Sequence, residues 1–321
     1  MEREINKKGK LKGFIFPGQG SQYIGMGKDF YQRYSSVKDI FEQASDVLKI
    51  DVKNLCFQGD EAILKETRYT QSLVFTVSFA CFTVLKEKGI IPDIVAGHSL
   101  GEYTALVAGG YLDFVDGLKL VKKRGEVMQE VGGKHQGVMA AIIGLEKEKI
   151  NKILEEAGRW GVVVAANFNS SMQIVISGEE IAVRKAKLMA EKEGAKRVVI
   201  LKVGGAFHSP LMAEAKEKIR WEIEKVKIHS SNIPIVMNAN AKILTTPQQI
   251  KEAMISQIIS PVLWEDSVKE MVNAGVTTFI EVGPSKVLTG LVRQIARQSL
   301  VLHVEDEKSL ITTKEKLNAL S

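Results

Sequence analysis

The run Val95-Ala96-Gly97-His98-Ser99-Leu100-Gly101-Glu102-Tyr103 constrains the fold more than any other part of the sequence. Upstream, Ile90, Ile91, Ile94 and Val95 form a short β-branched apolar run suited to a buried strand. Downstream, residues 100–108 read as a helix. Between them, Gly97-x-Ser99-x-Gly101 sets a serine on a strand-to-helix turn, with its hydroxyl projecting from the sheet edge. Small flanking residues are needed because side chains there would collide with neighbouring backbone. The helix N-terminus points at Ser99, so Leu100 N–H and the helix dipole can stabilise negative charge forming beside it. Ser99 is therefore a candidate nucleophile. The plainer alternative is a glycine-rich turn with an N-capping serine.

A serine elbow needs a sheet around it, and 321 residues, 45% hydrophobic and 26% charged, suffice for a large core and for two domains. Residues 1–12 are dense in Lys and Glu without an apolar stretch, unlike a secretory signal. The longest mostly apolar run, 72–85, is too short for a bilayer, so a buried helix and no membrane association are expected. Cys56 and Cys81 show no metal spacing and no C-x-x-C pairing. They read as reduced, buried thiols of a cytoplasmic protein. The net charge of +6 comes from lysines interleaved with glutamates, as over 147–156 and 179–192, which marks solvated helix faces. No basic arm or aromatic-basic stripe points to nucleic acid. The mild positive bias favours an acidic protein partner.

In chain order, residues 12–16 read as a buried strand that ends in Pro17-Gly18-Gln19-Gly20-Ser21-Gln22. This loop lacks the Gly-Lys-Ser/Thr ending of a phosphate cradle, and Tyr23 stands where a dinucleotide fingerprint needs glycine. From its residues alone it is a turn. No metal or organic cofactor is expected. Helical patterns cover 37–49, 70–88 and 114–131, the last carrying Arg124 and Met128. An arginine on such a helix is ordinarily a surface residue. The texture then changes at Gly132-Gly133-Lys134. Strand 138–143, helix 146–156, strands 162–166 and 173–177, helix 179–193 and strand 197–203 follow, a β-α-β-β-α-β order of ferredoxin-like type. Residues 132–204 are thus expected to form an inserted small domain, and 1–131 with 205–321 an α/β catalytic domain. In the second catalytic segment, Ser209 caps a helix opened by Pro210 and running over 211–227. Strand 233–238, helices 247–259 and 264–274, strand 278–282, helix 286–297 and strand 300–304 follow, with 306–321 a polar, peripheral tail. Alternating strands and helices imply a mostly parallel sheet covered by helices.

A serine hydroxyl needs a base, and histidine is the usual one near neutral pH. His98 neighbours Ser99, which directs its side chain elsewhere. His135 lies in a glycine-rich hinge, His229 among polar residues, and His303 at a strand end. His208 occupies a small-residue loop at a domain junction and is the favoured base. No downstream Asp or Glu stands out as its orienting partner, and a backbone carbonyl can accept the Nδ1 proton instead.

Several spaced motifs occur together: Pro17-Gly18-Gln19-Gly20-Ser21-Gln22, the elbow run, Asn167-Phe168-Asn169, Gly205-Ala206-Phe207-His208-Ser209-Pro210, Gln257-Ile258-Ile259-Ser260-Pro261-Val262 and Glu281-Val282-Gly283-Pro284. On these the chain resembles the malonyl-CoA:acyl carrier protein transacylases, the stand-alone acyltransferases of bacterial type II fatty acid synthesis. The resemblance spans about 13–304 and implies a hydrolase-like α/β domain with a ferredoxin-like insertion. It implies Ser99 as the acylated nucleophile, His208 as base and the Gln257 carbonyl as orienter of the imidazole. Gln19 and Leu100 N–H would form the oxyanion hole, and Arg124 would pair with the malonyl carboxylate. His98, Met128, Asn167, Asn169 and Phe207 would line the cleft, although a strand-end turn accounts equally well for the asparagines. The implied partners are malonyl-CoA and holo acyl carrier protein. Gly204, where the family often has serine, and Ser285, where it often has glycine, depart from the pattern without touching a proposed role.

Within enzymes, a trans-acting acyltransferase or an acyl-thioester hydrolase of a polyketide pathway is the alternative. From another class comes a catalytically silent module that binds carrier protein, a role needing neither Ser99 nor His208. A lipid acyl hydrolase shares the elbow but commonly uses a Ser-Asp pair.

Overall fold

The computed structural model describes residues 10–134 and 137–319. Most of the N-terminal stretch read above for a secretory signal, together with His135, lies outside them. The strands are β1 (Leu11–Phe16), β2 (Ile94–Gly97), β3 (Gly137–Ile143), β4 (Val163–Ser170), β5 (Gln173–Glu179), β6 (Arg197–Ile200), β7 (Ile235–Val236), β8 (Ile243–Leu244), β9 (Val276–Val282) and β10 (Leu300–Val304). They form two sheets of order β10-β9-β1-β2-β7-β8 and β4-β5-β3-β6. The first is parallel except for the β7–β8 edge pair, and the second is antiparallel throughout. This is an α/β fold with a mostly parallel sheet and a separate antiparallel one.

The larger sheet is covered on both faces, as its unbroken apolar strands require. Phe14 and Phe16 of β1 are fully buried and each meets the ring of Phe82 edge-on, at 6.4 and 6.3 Å. Phe82 belongs to the helix Thr67–Glu87, which carries no charged residue between Arg68 and Lys86 and is buried along most of its length. Among the described residues no helix is long and apolar enough to cross a membrane. Cys56 and Cys81 are buried and free, as expected.

Some elements differ from the sequence pattern for identifiable reasons. Pro92 cannot donate to a ladder, so β2 begins only at Ile94 and Ile91 stands 53% exposed. The helix Phe114–Lys134 runs straight through Gly132-Gly133. Close approach explains those glycines better than a break does: a Cβ on Gly132 would strike the carbonyl of Gly204. β6 stops at Ile200, and β7 is only two residues because the chain leaves the sheet toward the elbow at Asn238. Ser209 precedes the short 3-10 turn Pro210–Met212, but its hydroxyl donates to the Ala206 carbonyl and caps nothing. The supposed tail is the helix Glu307–Asn318, closed by an Asp306–Ser309 capping box and anchored by buried Leu310. The short helices Lys28–Arg33, Val52–Gln58 and Glu61–Lys65 left no readable periodicity.

The turn after β9 braces the first loop of the chain. A Cβ on Gly283 would sit 3.0 Å from Pro17 Cγ and collide with Ser78. Glu281, fully buried, accepts N–H groups of Leu288 and Thr289 at 3.0 and 2.6 Å and so caps the helix Val287–Ile295. Ser285 adopts φ 71°, which accounts for a preference for glycine at this position. Ser285→Gly keeps the main-chain bond to Glu305, so it is expected to raise unfolding stability by roughly 0.5–1 kcal/mol. A urea midpoint that falls would contradict this.

Candidate functional site

Ser99 lies immediately beyond the C-terminal end of β2, between the strand and the helix Gly101–Ala108. Its backbone is left-handed, φ 51°, a strained conformation for a non-glycine residue that persists only where the surroundings enforce it. The flanking glycines show the enforcement. A Cβ on Gly97 would fall on the Gly101 carbonyl, and one on Gly101 would fall on the Phe16 carbonyl. Asn238 staples the turn: its Oδ1 accepts Ser99 N–H at 2.7 Å and its Nδ2 donates to the Gly97 carbonyl at 2.6 Å. Gly18 brings the Pro17–Gln19 loop against the elbow, since any Cβ there would strike the His98 carbonyl.

His208, 3% exposed and also left-handed at φ 57°, stands opposite. Its Nε2 is 2.8 Å from Ser99 Oγ, while Nδ1 lies 2.9 Å from the Gln257 carbonyl and 3.2 Å from that of Ser260. Two carbonyl acceptors require the hydrogen on Nδ1, which leaves Nε2 to accept the Ser99 proton. Burial first, and the Arg124 charge second, push His208 down to about 3, so the imidazole is neutral at physiological pH. Main-chain oxygens thus hold it in place.

Arg124 overturns the surface placement expected of an arginine on a helix. It is 1% exposed. Its Nη2 donates to Ser99 Oγ and to Gln257 Oε1, both at 3.0 Å, and its Nη1 donates to Gln71 Oε1 at 2.7 Å. The guanidinium lies 5.5 Å from the Tyr103 ring centroid, and Nε has no hydrogen-bond partner. A buried cation held mainly by neutral amides, with its Nε–H unused, favours an incoming anion.

Ser99, His208 and Arg124 share a cavity of about 100 Å³ with Gln19, Leu100, His98, Met128, Asn167 and Phe207. Its size suits a short acyl group. Gln19 is anchored through Nε2 to Thr67 Oγ1 at 3.1 Å. His98 turns away from Ser99, pairing Nε2 with Asn169 Oδ1 at 2.8 Å and meeting Trp264 edge-on. Burial lowers its pKa, keeping it neutral. Asn167 forms an isolated bridge with Val262, so the antiparallel sheet joins the loop that holds His208. Asn169 and Gln257 lie just behind the wall, through His98 and Arg124 respectively. His229 pairs with Asp113 and His303 lies near Glu305, both outside this group.

Sequence reasoning missed Gln71, Met139, Leu201 and Val203 in the wall, and Asn238 and Glu102 behind it. Glu102 was inside the elbow motif, but a charged residue on a helix reads as solvated. It is fully buried, and that burial raises its carboxyl pKa, opposed by the Asn238 N–H, the Arg124 charge and the Gln257 amide.

The sequence matches the acyl transferase domain family over residues 13–318. It is 42% identical over 298 residues to a malonyl CoA-acyl carrier protein transacylase of Bacillus subtilis (strain 168), covering 92% of this chain and 94% of the relative. The structure resembles that of a malonyl CoA-acyl carrier protein transacylase from Clostridium perfringens, with TM-score 0.93 and 40% identity over 97% of this chain and 98% of the other. It also resembles a malonyl-transacylase in complex with its type II PKS acyl carrier protein, with TM-score 0.92 and 38% identity over 95% and 99% of the two chains. The chain belongs to the acyl transferase family, in the group of malonyl CoA-acyl carrier protein transacylases.

Proposed function

We propose that this enzyme transfers the malonyl group of malonyl-CoA to the phosphopantetheine thiol of holo acyl carrier protein, through a malonyl ester on Ser99. Ser99 gives its proton to His208 Nε2 as Oγ bonds to the thioester carbonyl carbon. The C–S bond then breaks, and CoA leaves with the proton that His208 returns. In the second half, the carrier thiol gives its proton to His208 and its sulfur attacks the ester carbonyl. The C–Oγ bond breaks and Ser99 recovers the proton. This is ping-pong catalysis through a covalent intermediate. Main-chain N–H groups of Gln19 and Leu100 stabilise the oxyanion, with the helix N-terminus behind them. Arg124 holds the malonyl carboxylate through charge-assisted bonds, and an acetyl group would leave that charge unpaired.

The observation carrying this proposal is one buried guanidinium within 3.0 Å of the same Ser99 Oγ that His208 reaches at 2.8 Å. A silent binding module needs no such convergence. The frame is read as a hydrolase-like catalytic domain, 1–131 and 205–321, with a ferredoxin-like domain over 132–204. The β4-β5-β3-β6 order and the Lys147–Ala157 and Glu180–Lys192 helices support that description. Bacterial fatty acid synthesis is the favoured pathway, and the relative in complex with a type II PKS carrier makes polyketide synthesis the second.

Intact-protein mass spectrometry tests the activity. Brief exposure to malonyl-CoA is expected to leave a malonyl adduct that moves to added holo carrier protein. Free malonate without carrier would indicate a hydrolase, and a folded protein with no adduct would indicate a binding module.

A further inference from the structure

Glu102 is a fully buried acidic residue in the first turn of the elbow helix, and none of the roles above uses it. A carboxylate removed from water is strongly destabilising unless donors hold it. Here each oxygen has one donor: Oε2 accepts the main-chain N–H of Asn238 at 2.6 Å, and Oε1 accepts Gln257 Nε2 at 2.9 Å. The Gln257 amide consequently has one tolerable orientation. Its Nε2 faces Glu102 Oε1 and the Ser99 carbonyl, both at 2.9 Å, and Asn238 Oδ1 at 3.4 Å. Its Oε1 faces Arg124 Nη2 at 3.0 Å. Flipped, the amide would set oxygen against oxygen on one side and donor against donor on the other.

We propose that Glu102 is a positioning residue for acyl selection, locking the Gln257 amide and through it the Arg124 guanidinium beside Ser99. Its role rests on Arg124 receiving the acyl carboxylate. The interposed amide explains why acid and base are not paired directly. A Glu102–Arg124 salt bridge would occupy the guanidinium fork and compete with the substrate for it. Through the amide, Glu102 orients the oxygen that Arg124 faces, while the other donors of Arg124 stay available at the cavity. Because Gln257 also supplies the main-chain acceptor for His208, one residue ties the base to the acyl-binding group.

Glu102→Gln keeps the side-chain shape but sets an amide donor against a donor of Gln257 or Asn238. The cheapest relief is a flip of Gln257, which turns Nε2 toward Arg124 and displaces the guanidinium. The KM for malonyl-CoA is then expected to rise about 10- to 100-fold, the cost of one unsatisfied buried group. Acylation by acetyl-CoA, which needs no carboxylate site, should change less than about threefold. Equal losses on both substrates, or none on malonyl-CoA, would overturn the proposal by leaving Glu102 a merely structural role. Arg124→Ala, measured alongside, separates the two levels. If that variant keeps the malonyl preference, the carboxylate role of Arg124 fails and the role of Glu102 with it. If Arg124→Ala loses the preference and Glu102→Gln keeps it, only the role of Glu102 fails. Should Glu102→Gln not fold, Gln257→Met carries the test: the same selective loss is expected, and an unchanged preference overturns the relay.

Discussion

Replacing Ser99 with alanine is expected to eliminate the malonyl adduct and to lower transfer to carrier protein by about 10⁴-fold or more, the scale on which nucleophile removal acts. The loss should be chemical and not structural. Alanine loses the Oγ contacts with His208 and Arg124 but keeps the main-chain bonds that hold the turn, the N–H to Asn238 and the carbonyl to the Gln257 amide. Alanine also carries the left-handed φ at much the same strain as serine. Among the described residues no other group is placed to take over. Cys56 and Cys81 are buried and burial pushes both thiols up, away from the reactive thiolate. Unfolding midpoints of the variant and the parent should therefore agree while the adduct signal disappears. An adduct that persists, or turnover within about 100-fold of the parent, would sink Ser99 as the nucleophile.

What made Ser99 legible was steric: a strand, two glycines and a helix leave few conformations for the residue between them. His208 was legible by elimination, and its loop of small residues does admit a buried left-handed turn. The parallel order of the large sheet followed from alternating apolar runs, and the β-α-β-β-α-β stretch from shorter ones. Arg124 was illegible from its helix, because periodicity carries no mark of a cation that amides from the helix Thr67–Glu87 and the helix Pro247–Gln257 will surround. Glu102 and Asn238 were illegible for the same reason. Their meaning lies in contacts between residues 136 and 139 positions apart, which local pattern cannot carry. The helix Glu307–Asn318 was hidden by its polar composition, since only Leu310 and Leu317 pack on the core, beside the buried Thr313 and the Ser309 cap.

Arg124→Ala is expected to cut kcat/KM for malonyl-CoA by about 10²- to 10³-fold relative to acetyl-CoA, the cost of breaking a buried charge pair from one side. Gln71 and Gln257 lose a donor in this variant whichever acyl group is bound. That part of the penalty is common to both substrates and cancels in the ratio. An equal decline on the two substrates would remove Arg124 from selectivity. A second readout comes from the base. The Arg124 charge disfavours the imidazolium of His208, so removing it must raise that pKa from about 3. The kcat/KM profile reports the free enzyme, so its acid limb should move to higher pH. Acetyl-CoA is the better probe, because its acyl group adds no titrating carboxylate. Arg124→Lys divides the two effects. Lysine keeps the positive charge, so the acid limb should stay near its parent position, but it lacks the planar fork and should lose part of the malonyl preference. A limb that stays in place in Arg124→Ala would mean that burial alone sets the basicity of His208.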